Sequence, residues 1–499
     1  MSGFHSMARP VKVAIRADAG AFIGMGHFAR ASAVTEALTL TGDADIIVLT
    51  NDEGVEHIPA YFPAGTRVLP LSADESDPEA AMQAMARLNW KPDVIVIDHY
   101  GRVPDWETTA ANADARLMVL DDLDAATRAD IIVRPHGGSK AAQSGILLMG
   151  PAYLPLSKQV VALAHSKPRR KSERLRINVC FGGSDPTHET LKAMRAAQWL
   201  SNVDFDVVLG PGAKPDPSLF DLAARTTNIA LHHAPSKEAM AELLSNAELA
   251  LGAGGVMLWE RLCFGIPSLV VATADNQLPQ ISSMAAKGAI RYLGPHSDVN
   301  EEVLAEAISA LVNDEARRAE LSSIGKQMVD GLGAKRLAAS ARALALNWRD
   351  VCSADAKALL DWRTHDQNWQ HNWEGSQKPE LAAHIEWLNG TLSDPNCVLR
   401  IFTRGEEPVG VVRFDLSEGG TSAYLSIYLV PSWHGRKIGL PVFFAAEYAL
   451  RRSHASVQQI VSRIHSDNAA SVKLHRDAGF EFAPSIERND WLHAKKIFT

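Results

Sequence analysis

The sequence predicts an α/β protein with two similar parallel-sheet halves, followed by a smaller α+β unit. Short apolar runs alternate with helical patterns from Val11 onward, and this series restarts near Arg176. The composition then changes, because seven of the eleven tryptophans lie from Trp348 onward. Alternating strands and helices are typical of open parallel sheets, and the restart indicates a second sheet.

The first half contains candidate strands that are apolar throughout, as expected for parallel strands buried on both faces. A helical pattern over Phe28–Leu40 separates the first two, which predicts a βαβ series. The candidate strands are Val11–Ile15, Asp45–Leu49, Asp93–Ile97, Leu117–Leu120 and Ile131–Val133.

The second half repeats this pattern and ends in two long helical patterns, Glu301–Val312 and Ala334–Trp348. Two such halves in tandem predict a cleft between them, with ligands bound beyond the carboxyl ends of the strands. The candidate strands are Ile177–Phe181, Phe205–Leu209, Ile229–His232, Leu249–Leu251 and Pro267–Val271.

The C-terminal unit contains a predicted strand meander and two predicted helices. We expect domains over residues 10–160, 161–348 and 349–499. The candidate strands of the last domain are Val398–Thr403, Pro408–Phe414, Ala423–Leu429 and Ile460–Ile464, and its helices are Leu440–Arg451 and Ala469–Ala478.

The composition excludes several classes of protein. The 499 residues are 46% hydrophobic and 22% charged, which is typical of a globular enzyme. The net charge of −8 argues against a general binder of nucleic acid or anionic membranes. The four cysteines are far apart, so neither a disulfide framework nor a zinc site is predicted. With no secretory signal and no long apolar run, we expect a cytoplasmic protein.

The first candidate site is the sequence RADAGAFIGMGHFAR over residues 16–30, where glycines separate a strand from a helix. Glycine lets a ligand approach the backbone closely, and a helix N-terminus offers N–H donors to a diphosphate. His27 at the helix start is a candidate general base, because a neutral imidazole is available near pH 7. Taken alone, a helix-capping histidine explains the same motif.

The second candidate site is IDHYG over residues 97–101, at the end of a predicted buried strand. Asp98 is expected to orient His27 or to bind a sugar hydroxyl, and Tyr100 to contact the sugar or assist proton transfer. The alternative is an aspartate that caps the next helix.

Three further motifs lie in the second half. GGSD over residues 182–185 favours a phosphate-binding turn. GAGG over residues 252–255 precedes a helix that carries Glu260, whose carboxylate suits a ribose diol. Asn276 in the DNQ motif suits an acetamido group. The alternatives are a surface charge at Glu260 and a simple helix N-cap at Asp275.

The order of these motifs resembles the nucleotide-sugar hydrolases of pseudaminic acid biosynthesis, over about residues 10–345. That family converts UDP-2,4-diacetamido-2,4,6-trideoxy-β-L-altropyranose to the free sugar and UDP. It is similar in fold to glycosyltransferases of the B type. The resemblance implies two Rossmann-like halves in a glycosyltransferase-B arrangement. Arg134 departs from the family pattern, which has a polar amide at this position.

The resemblance implies that water, deprotonated by His27, attacks C1 with inversion as UDP leaves. Helix termini neutralise the diphosphate, so no metal is expected. Catalytic roles are implied for His27, Asp98, Tyr100 and Asn276. UDP- and substrate-binding roles are expected for Arg16, Asp18, Gly26, Arg30, Gly182, Gly183, Ser184, Gly254, Gly255, Glu260 and Gln277.

The C-terminal unit resembles the GNAT acetyltransferases, through PSWHGRKIG at residues 431–439 and NAASVKLHRDAGF at residues 468–480. The resemblance implies acetyl-CoA as acyl donor, a strand that splays to receive the pantetheine arm, and a turn that binds the pyrophosphate through backbone N–H groups. Acetyl-CoA-binding roles are expected for Leu429, Val430, His434, Gly435, Arg436, Lys437, Ile438, Gly439, Asn468 and Ser471.

The GNAT-like motifs depart from the family at three positions. His434 replaces the usual arginine or glutamine, and Lys437 replaces a glycine. His475 stands where the family has a tyrosine that acts as general acid for the CoA thiolate. Either His475 performs that catalytic role, or the unit only binds its ligands.

These resemblances together predict a bifunctional enzyme of pseudaminic (nonulosonic) acid biosynthesis. The C-terminal unit would acetylate a UDP-4-amino-sugar, and the first two domains would hydrolyse the product. We hypothesise that the fusion raises the local concentration of the intermediate. The alternative is a B-type glycosyltransferase that uses a UDP-amino-sugar and carries a non-catalytic GNAT-like binding module.

Overall fold

The computed structural model describes most of the chain. The residues described are 9–20, 25–71, 78–99, 103–122, 124, 127–138, 145–166, 173–183, 185–213, 216–371, 377–486 and 488–498.

The first half is built on a parallel sheet, and the five predicted strands are confirmed. Their apolar side chains are buried because helices cover both faces of the sheet. The strands are β1 (Val11–Ala17), β2 (Ala44–Thr50), β3 (Arg67–Pro70), β4 (Val94–Asp98), β5 (Arg116–Leu120), β6 (Ile131–Arg134) and β7 (Ile146–Met149). They pair in the order β3-β2-β1-β4-β5-β6-β7. The short strands β3 and β7 were not predicted.

Among the described residues, four α-helices connect the strands of this sheet. They are α1 (Gly26–Thr39), α2 (Asp52–Tyr61), α3 (Pro78–Arg87) and α4 (Val103–Asn112). Asn51 caps α2, since its side chain accepts a hydrogen bond from the Gly54 N–H at 3.1 Å. In contrast, the N-cap residue of α1, Met25, makes no side-chain hydrogen bond to the first turn.

The second half is a similar parallel sheet, in the order β10-β9-β8-β11-β12-β13. Its strands are β8 (Arg176–Cys180), β9 (Asp204–Leu209), β10 (Ile229–His233), β11 (Leu249–Ala253), β12 (Ser268–Ala272) and β13 (Arg291–Pro295). Helix α5 (Lys158–Ala164) precedes the first strand of this sheet. The helices that follow are α6 (Glu189–Ala197), α7 (Pro217–Arg225), α8 (Lys237–Asn246), α9 (Val256–Phe264), α10 (Leu278–Ala286), α11 (Glu301–Val312) and α12 (Glu315–Met328). Both sheets have the strand order of a Rossmann fold, so the predicted pair of Rossmann-like halves is confirmed.

Helix α13 (Gly333–Leu344) returns from the second half and packs against α1 of the first. Gly333 is required at its start, since a Cβ there would lie 2.0 Å from the Leu154 carbonyl oxygen. The predicted helix over Ala334–Trp348 is too long. The chain leaves the helix after Leu344 and forms strand β14 (Asn347–Asp350), because pairing with the next strand in the C-terminal sheet overrides helical periodicity.

The C-terminal unit is a mixed sheet in the order β14-β15-β16-β17-β18-β20-β19, which confirms the predicted α+β class. The further strands are β15 (Cys397–Arg404), β16 (Glu407–Leu416), β17 (Ser422–Leu429), β18 (Gln459–His465), β19 (Glu481–Pro484) and β20 (Trp491–Ile497). Its helices are α14 (Ala356–Arg363), α15 (Asp366–Trp369), α16 (Leu381–Ser393), α17 (Gly439–Ser453) and α18 (Ala469–Ala478).

The C-terminal unit shares a hydrophobic core with the first half. Helix α17 packs against α13, which in turn covers α1. At this seam the buried Tyr448 hydroxyl donates a hydrogen bond to the Ser340 hydroxyl at 2.6 Å. The two units are therefore joined by packed side chains as well as by the chain itself.

The described residues contain neither a membrane-spanning helix nor a clustered set of metal-ligating side chains. None of their helices is long and apolar enough to cross a membrane. They also contain no group of three or more His, Cys, Asp or Glu side chains arranged to hold a metal ion.

The α13–α17 seam predicts the effect of Tyr448→Phe. Loss of its buried hydrogen bond should lower the free energy of unfolding by about 0.5–1.5 kcal/mol, measured as a lower apparent melting temperature by calorimetry. Tyr424→Phe is the matched control, because Tyr424 is 45% exposed. Identical melting temperatures for Tyr448→Phe and the wild type would contradict this account of the seam.

Candidate active sites

The first candidate site lies where β4 ends and α1 begins. His27, in the first turn of α1, is buried with its Nδ1 2.6 Å from Oδ1 of the buried Asp98. At this distance Nδ1–H donates to the carboxylate, which leaves the basic lone pair on Nε2. The structure thus brings together the predicted base and the predicted orienting carboxylate.

Arg30 fixes this pair from the next turn of α1. Its Nε donates to Asp98 Oδ2 at 2.9 Å, and its two terminal nitrogens donate to the two oxygens of Asp122 at 2.8 and 2.7 Å. Burial opposes the charge on Arg30, but the two carboxylates outweigh it and raise the pKa of Arg30 above its ordinary value. Arg30 therefore holds Asp98 in place through paired, charge-assisted hydrogen bonds.

The His27 site faces the cleft between the two halves. His136, just after β6, has its Nε2 3.6 Å from Asp122 Oδ1. Its ring centroid lies 5.3 Å from that of Trp259 on α9 of the second half. A Cβ on Gly26 would be 3.5 Å from the Val256 side chain. The starts of α1 and α9 thus meet across the cleft.

Sequence reasoning missed Asp122 and His136. They follow β5 and β6 at the same edge of the sheet that carries Asp98 after β4. The rule that ligands bind at the carboxyl ends of parallel strands would have found both.

Arg16 and Asp18 organise the same edge of the sheet. Arg16 Nη2 donates to Asp18 Oδ2 at 2.8 Å, and Asp18 Oδ1 accepts the Asn51 N–H at 2.8 Å. His99 Nε2 lies 2.8 Å from Asp18 Oδ2. Burial opposes the charge, but His99 and Arg16 outweigh it and lower the pKa of Asp18 to about 2. These bonds hold the ends of β1, β2 and β4 together. Contact of Arg16 or Asp18 with substrate stays a prediction.

The turn after β8 carries Gly182 and Gly183. Gly182 has φ +103°, which favours glycine. Gly210 approaches this turn closely, since a Cβ there would lie 2.4 Å from both carbonyl oxygens of the pair. Asp185 then accepts the N–H of Glu189 and of Thr190 at 3.0 and 2.9 Å and so caps the next helix. The predicted Ser184 lies outside the described residues, as does Tyr100 in the first half.

The turn between β11 and α9 carries Gly254 and Gly255. Gln277 braces it, since its Oε1 accepts the Gly254 N–H at 3.3 Å. Gly255 is the N-cap residue of α9, and a Cβ there would meet no atom within 4 Å. Asn276 is exposed on the neighbouring short helix, where no N-cap side-chain hydrogen bond is found. The open start of α9 is therefore accessible to a ligand in the cleft.

Glu260 lies half-buried on α9, close to a lysine and a tyrosine. Burial raises the pKa of Glu260 to about 7, against the opposing effect of Lys237. Lys237 donates to the Tyr61 carbonyl at 3.1 Å and lies 3.9 Å from the Tyr61 ring centroid. Burial lowers the pKa of Lys237 to about 8. Near pH 7, Glu260 is therefore present in both its neutral and its ionised form.

The second candidate site lies in the C-terminal sheet, where β17 and β18 separate. The two strands pair only from Ser422–Tyr424 to Gln459–Val461, so β17 runs on to Leu429 without β18 beside it. Val430, directly after β17, donates its N–H to the Val409 carbonyl at 3.0 Å, so the pairing with β16 continues to the end of β17. The predicted splay is therefore present, and at its end the Leu429 carbonyl accepts a hydrogen bond from Asn368 Nδ2 at 3.0 Å.

A turn over residues 434–438, which we call the CoA loop, follows the splayed strand and leads into α17. Gly435 and Lys437 have φ +75° and +54°, both in the left-handed region. Helix α17 begins at Gly439 after the N-cap residue Ile438, with no side-chain cap. Its first N–H groups are therefore suited to a pyrophosphate, and the exposed Arg436 adds positive charge beside them.

His434 and the α18 residues frame this site. His434 Nδ1 contacts the Gln367 side chain. Asn468 caps α18, as its Oδ1 accepts the Ser471 N–H at 3.0 Å. Buried His475 donates Nδ1–H to the Ser471 carbonyl at 2.8 Å, and its Nε2 has no hydrogen-bond partner among the described residues.

Burial lowers the pKa of His475 to about 4. The ring is therefore neutral at pH 7, and its Nε2 accepts a proton rather than donating one. Its ring centroid lies 4.7 Å from that of Phe480, which contributes to the apolar surroundings. The general-acid role of His475 stays a prediction.

The tryptophans of this unit pack around an arginine. Trp369 is buried, and the Arg363 guanidinium lies 5.8 and 5.3 Å from the ring centroids of Trp369 and Trp387. His384 is buried and stacks on Trp387 with centroids 5.1 Å apart. Trp362 packs against the same small core, and Trp373 lies outside the described residues.

The C-terminal unit matches a known protein family. Residues 346–481 match the family model of the acetyltransferase (GNAT) domain. The C-terminal unit is a GNAT acetyltransferase domain. The splayed strands and the CoA loop of this GNAT domain support acetyl-CoA as its acyl donor.

Two further relatives match this chain over different lengths. The chain is 24% identical to the uncharacterized protein MJ1062 of Methanocaldococcus jannaschii, over 97% of this chain and 99% of that protein. It is 28% identical over 193 residues to the spore coat polysaccharide biosynthesis protein SpsG of Bacillus subtilis, and the match covers 38% of this chain and 56% of that protein. The first part of the chain thus resembles a protein of polysaccharide biosynthesis.

Similar solved structures were found for both parts of the chain. Acinetobacter baumannii MurG is 16% identical with a TM-score of 0.48, covering 67% of this chain and 99% of MurG. The RimL ribosomal L7/L12 α-N-protein acetyltransferase in complex with coenzyme A is 17% identical with a TM-score of 0.28, covering 31% of this chain and 94% of RimL.

The environment of His475 predicts its titration. Because burial holds the pKa of His475 at about 4, its ring should stay neutral from pH 8 to pH 5 and protonate only below that range. Ring-nitrogen NMR on the labelled full-length chain measures this, with His475→Gln to assign the signal. Protonation of this ring between pH 6 and pH 7 would contradict the buried, neutral state.

Proposed function

We propose that this chain is a bifunctional enzyme of pseudaminic (nonulosonic) acid biosynthesis. The GNAT domain N-acetylates a UDP-4-amino-sugar with acetyl-CoA. The two Rossmann-like halves hydrolyse the resulting UDP-2,4-diacetamido-2,4,6-trideoxy-β-L-altropyranose to free sugar and UDP. The observation that carries the hydrolase proposal is the buried His27–Asp98 pair at the open start of a helix in the cleft.

In the hydrolase step, His27 Nε2 takes a proton from water, and the water oxygen attacks C1 of the sugar. The C1–O bond to the β-phosphate breaks, and UDP leaves with the bonding electron pair. Asp98 orients the His27 ring through its 2.6 Å bond and stabilises the imidazolium that forms. The N-termini of α1 and α9 face each other across the cleft and stabilise the diphosphate charge.

In this proposal, the second half binds UDP. The glycine turns after β8 and β11 bring backbone N–H groups to the carboxyl edge of the sheet, as a diphosphate requires. Glu260, beside the β11 turn, binds the ribose diol, and exposed Asn276 reaches the sugar. The printed function of the Bacillus subtilis relative, spore coat polysaccharide biosynthesis, supports a nucleotide-sugar substrate.

In the acetyl-transfer step, the sugar amine attacks the thioester carbonyl carbon. An N–C bond forms, the C–S bond breaks with its electron pair passing to sulfur, the nitrogen releases a proton, and the thiolate of CoA takes one up. The edge of β17 beyond Tyr424 holds the pantetheine arm, and the start of α17 holds the pyrophosphate. His475 lies on α18, which begins beside the splay.

The test is a time course of the purified chain with UDP-4-amino-4,6-dideoxy-N-acetyl-β-L-altrosamine, with and without acetyl-CoA, following UDP and CoA thiol together. We expect CoA release first and UDP release second. His27→Ala should lower the rate of UDP release by about 10²–10⁴-fold and leave CoA release intact. His475→Ala should slow CoA release alone.

Each other outcome of this time course has a defined meaning. UDP release without CoA release would mean that the GNAT domain is inactive or uses another acyl donor. CoA release with UDP release only on addition of a sugar acceptor favours a B-type glycosyltransferase. Release of neither product excludes this sugar as the substrate.

The pKa of Glu260 predicts a pH-dependent affinity for UDP. The ionised fraction of this carboxyl rises between pH 6 and pH 8, because its pKa is about 7. If the carboxylate accepts the ribose hydroxyls, UDP affinity should rise by up to about tenfold over that interval. Calorimetric titration with UDP measures this.

Glu260→Gln should remove the rise in UDP affinity that the carboxylate causes between pH 6 and pH 8. Only the part of the rise that is due to ionisation of UDP itself should remain. Glu238→Gln, an exposed residue on α8, is the matched control and should titrate as the wild type does. Equal pH profiles for Glu260→Gln and the wild type would exclude Glu260 as the ribose ligand.

A further inference from the structure

The CoA loop of the GNAT domain is held by α1 of the first half and by α13. Lys437 Nζ donates to the carbonyl of Leu40, the C-cap residue of α1, at 2.7 Å. Arg342 on α13 donates through Nη1 to the Lys437 carbonyl at 2.8 Å. One loop residue is therefore bound at both its side chain and its backbone by elements outside the GNAT domain.

Arg342 is itself fixed by an aspartate of the first half. Its Nη2 donates to Asp43 Oδ2 at 2.6 Å, and Arg404 of the GNAT domain donates to the same oxygen at 2.8 Å. Arg404 also bonds to the Arg9 carbonyl at 2.7 Å. Burial opposes the charge on Asp43, but Arg342, with Thr41 and Arg404, outweighs it and lowers the pKa of Asp43. Asp43 thus joins two arginines whose side chains are nearly inaccessible to solvent.

Lys437 needs such support because of its backbone conformation. Its φ of +54° lies in the left-handed region, which a residue with a Cβ adopts less readily than glycine. Its ammonium lies at the negative end of the α1 dipole, where a cation is stabilised. That contact directs the charge toward α1 rather than toward a ligand at the start of α17.

We propose that Arg342 and Lys437 are positioning residues that hold the CoA loop in its pyrophosphate-binding conformation. The acetyl-CoA site is therefore completed by the half of the chain that carries the hydrolase site. Asp43 acts through Arg342. This inference rests on the proposed acetyl-CoA-dependent activity and assigns the first half a part in it.

The test uses the full-length chain and CoA as the probe. Arg342→Met should raise the Kd of CoA by about tenfold or more, because a charge-assisted bond to the loop is lost. The KM for acetyl-CoA should rise in parallel, with kcat for CoA thiol release within about twofold of the wild type. Arg342→Lys, which keeps the charge and one donor, should recover part of the affinity, and Asp43→Asn should weaken it.

Lys335→Met is the matched control. Lys335 also lies on α13 and pairs with Asp477 on α18 of the GNAT domain, but among the described residues it has no hydrogen bond to the CoA loop. It should leave the Kd of CoA unchanged. Melting temperatures of both variants check that the chain is folded.

An unchanged Kd in Arg342→Met would overturn the proposal. An equal rise in Lys335→Met would overturn it too, because general loosening of the domain contact would then explain the effect. A wild-type chain that binds no CoA would overturn the proposed acetyltransferase activity itself, and the inference with it.

Discussion

One buried guanidinium, that of Arg336, makes hydrogen bonds to all three units of this chain. Arg336 on α13 is only 1% exposed. It donates to the Ala152 carbonyl at 2.7 Å, to Asp330 at 2.9 and 2.6 Å, and to the Asp477 carbonyl at 2.9 Å. These acceptors belong to the end of the first half, the segment after α12 and the GNAT domain. A buried charge must be satisfied by hydrogen bonds, so their positions relative to α13 are constrained together.

Helix α1 connects the two candidate sites. His27 lies in its first turn, and Leu40 at its other end contacts the CoA loop. A helix of 14 residues spans about 20 Å, so the two contacts are at opposite ends of one rigid element. The GNAT domain docks near the amino ends of β1 and β2, whereas the cleft opens at the carboxyl ends. The two candidate sites therefore lie at opposite ends of the first half.

The strands were predictable because their residues are apolar throughout, which few structures other than a buried parallel sheet accommodate. The splay of β17 was predictable only through the resemblance carried by the turn after it. The start of β14 was not predictable from the sequence, because Asn347–Asp350 forms a strand only through its pairing with β15. The short edge strands β3 and β7 were not predicted because four residues carry too little periodicity.

The sequence by itself determined the fold class, the glycine turns and the presence of His27 and Asp98, since these depend on local composition and on order along the chain. Only the tertiary structure showed that Arg30 and Asp122 complete the His27 network, that His136 meets Trp259 across the cleft, and that Asp43 and Arg342 support the CoA loop. These contacts join residues up to 299 positions apart. Local patterns carry no signal for such pairs, because packing between elements brings them together.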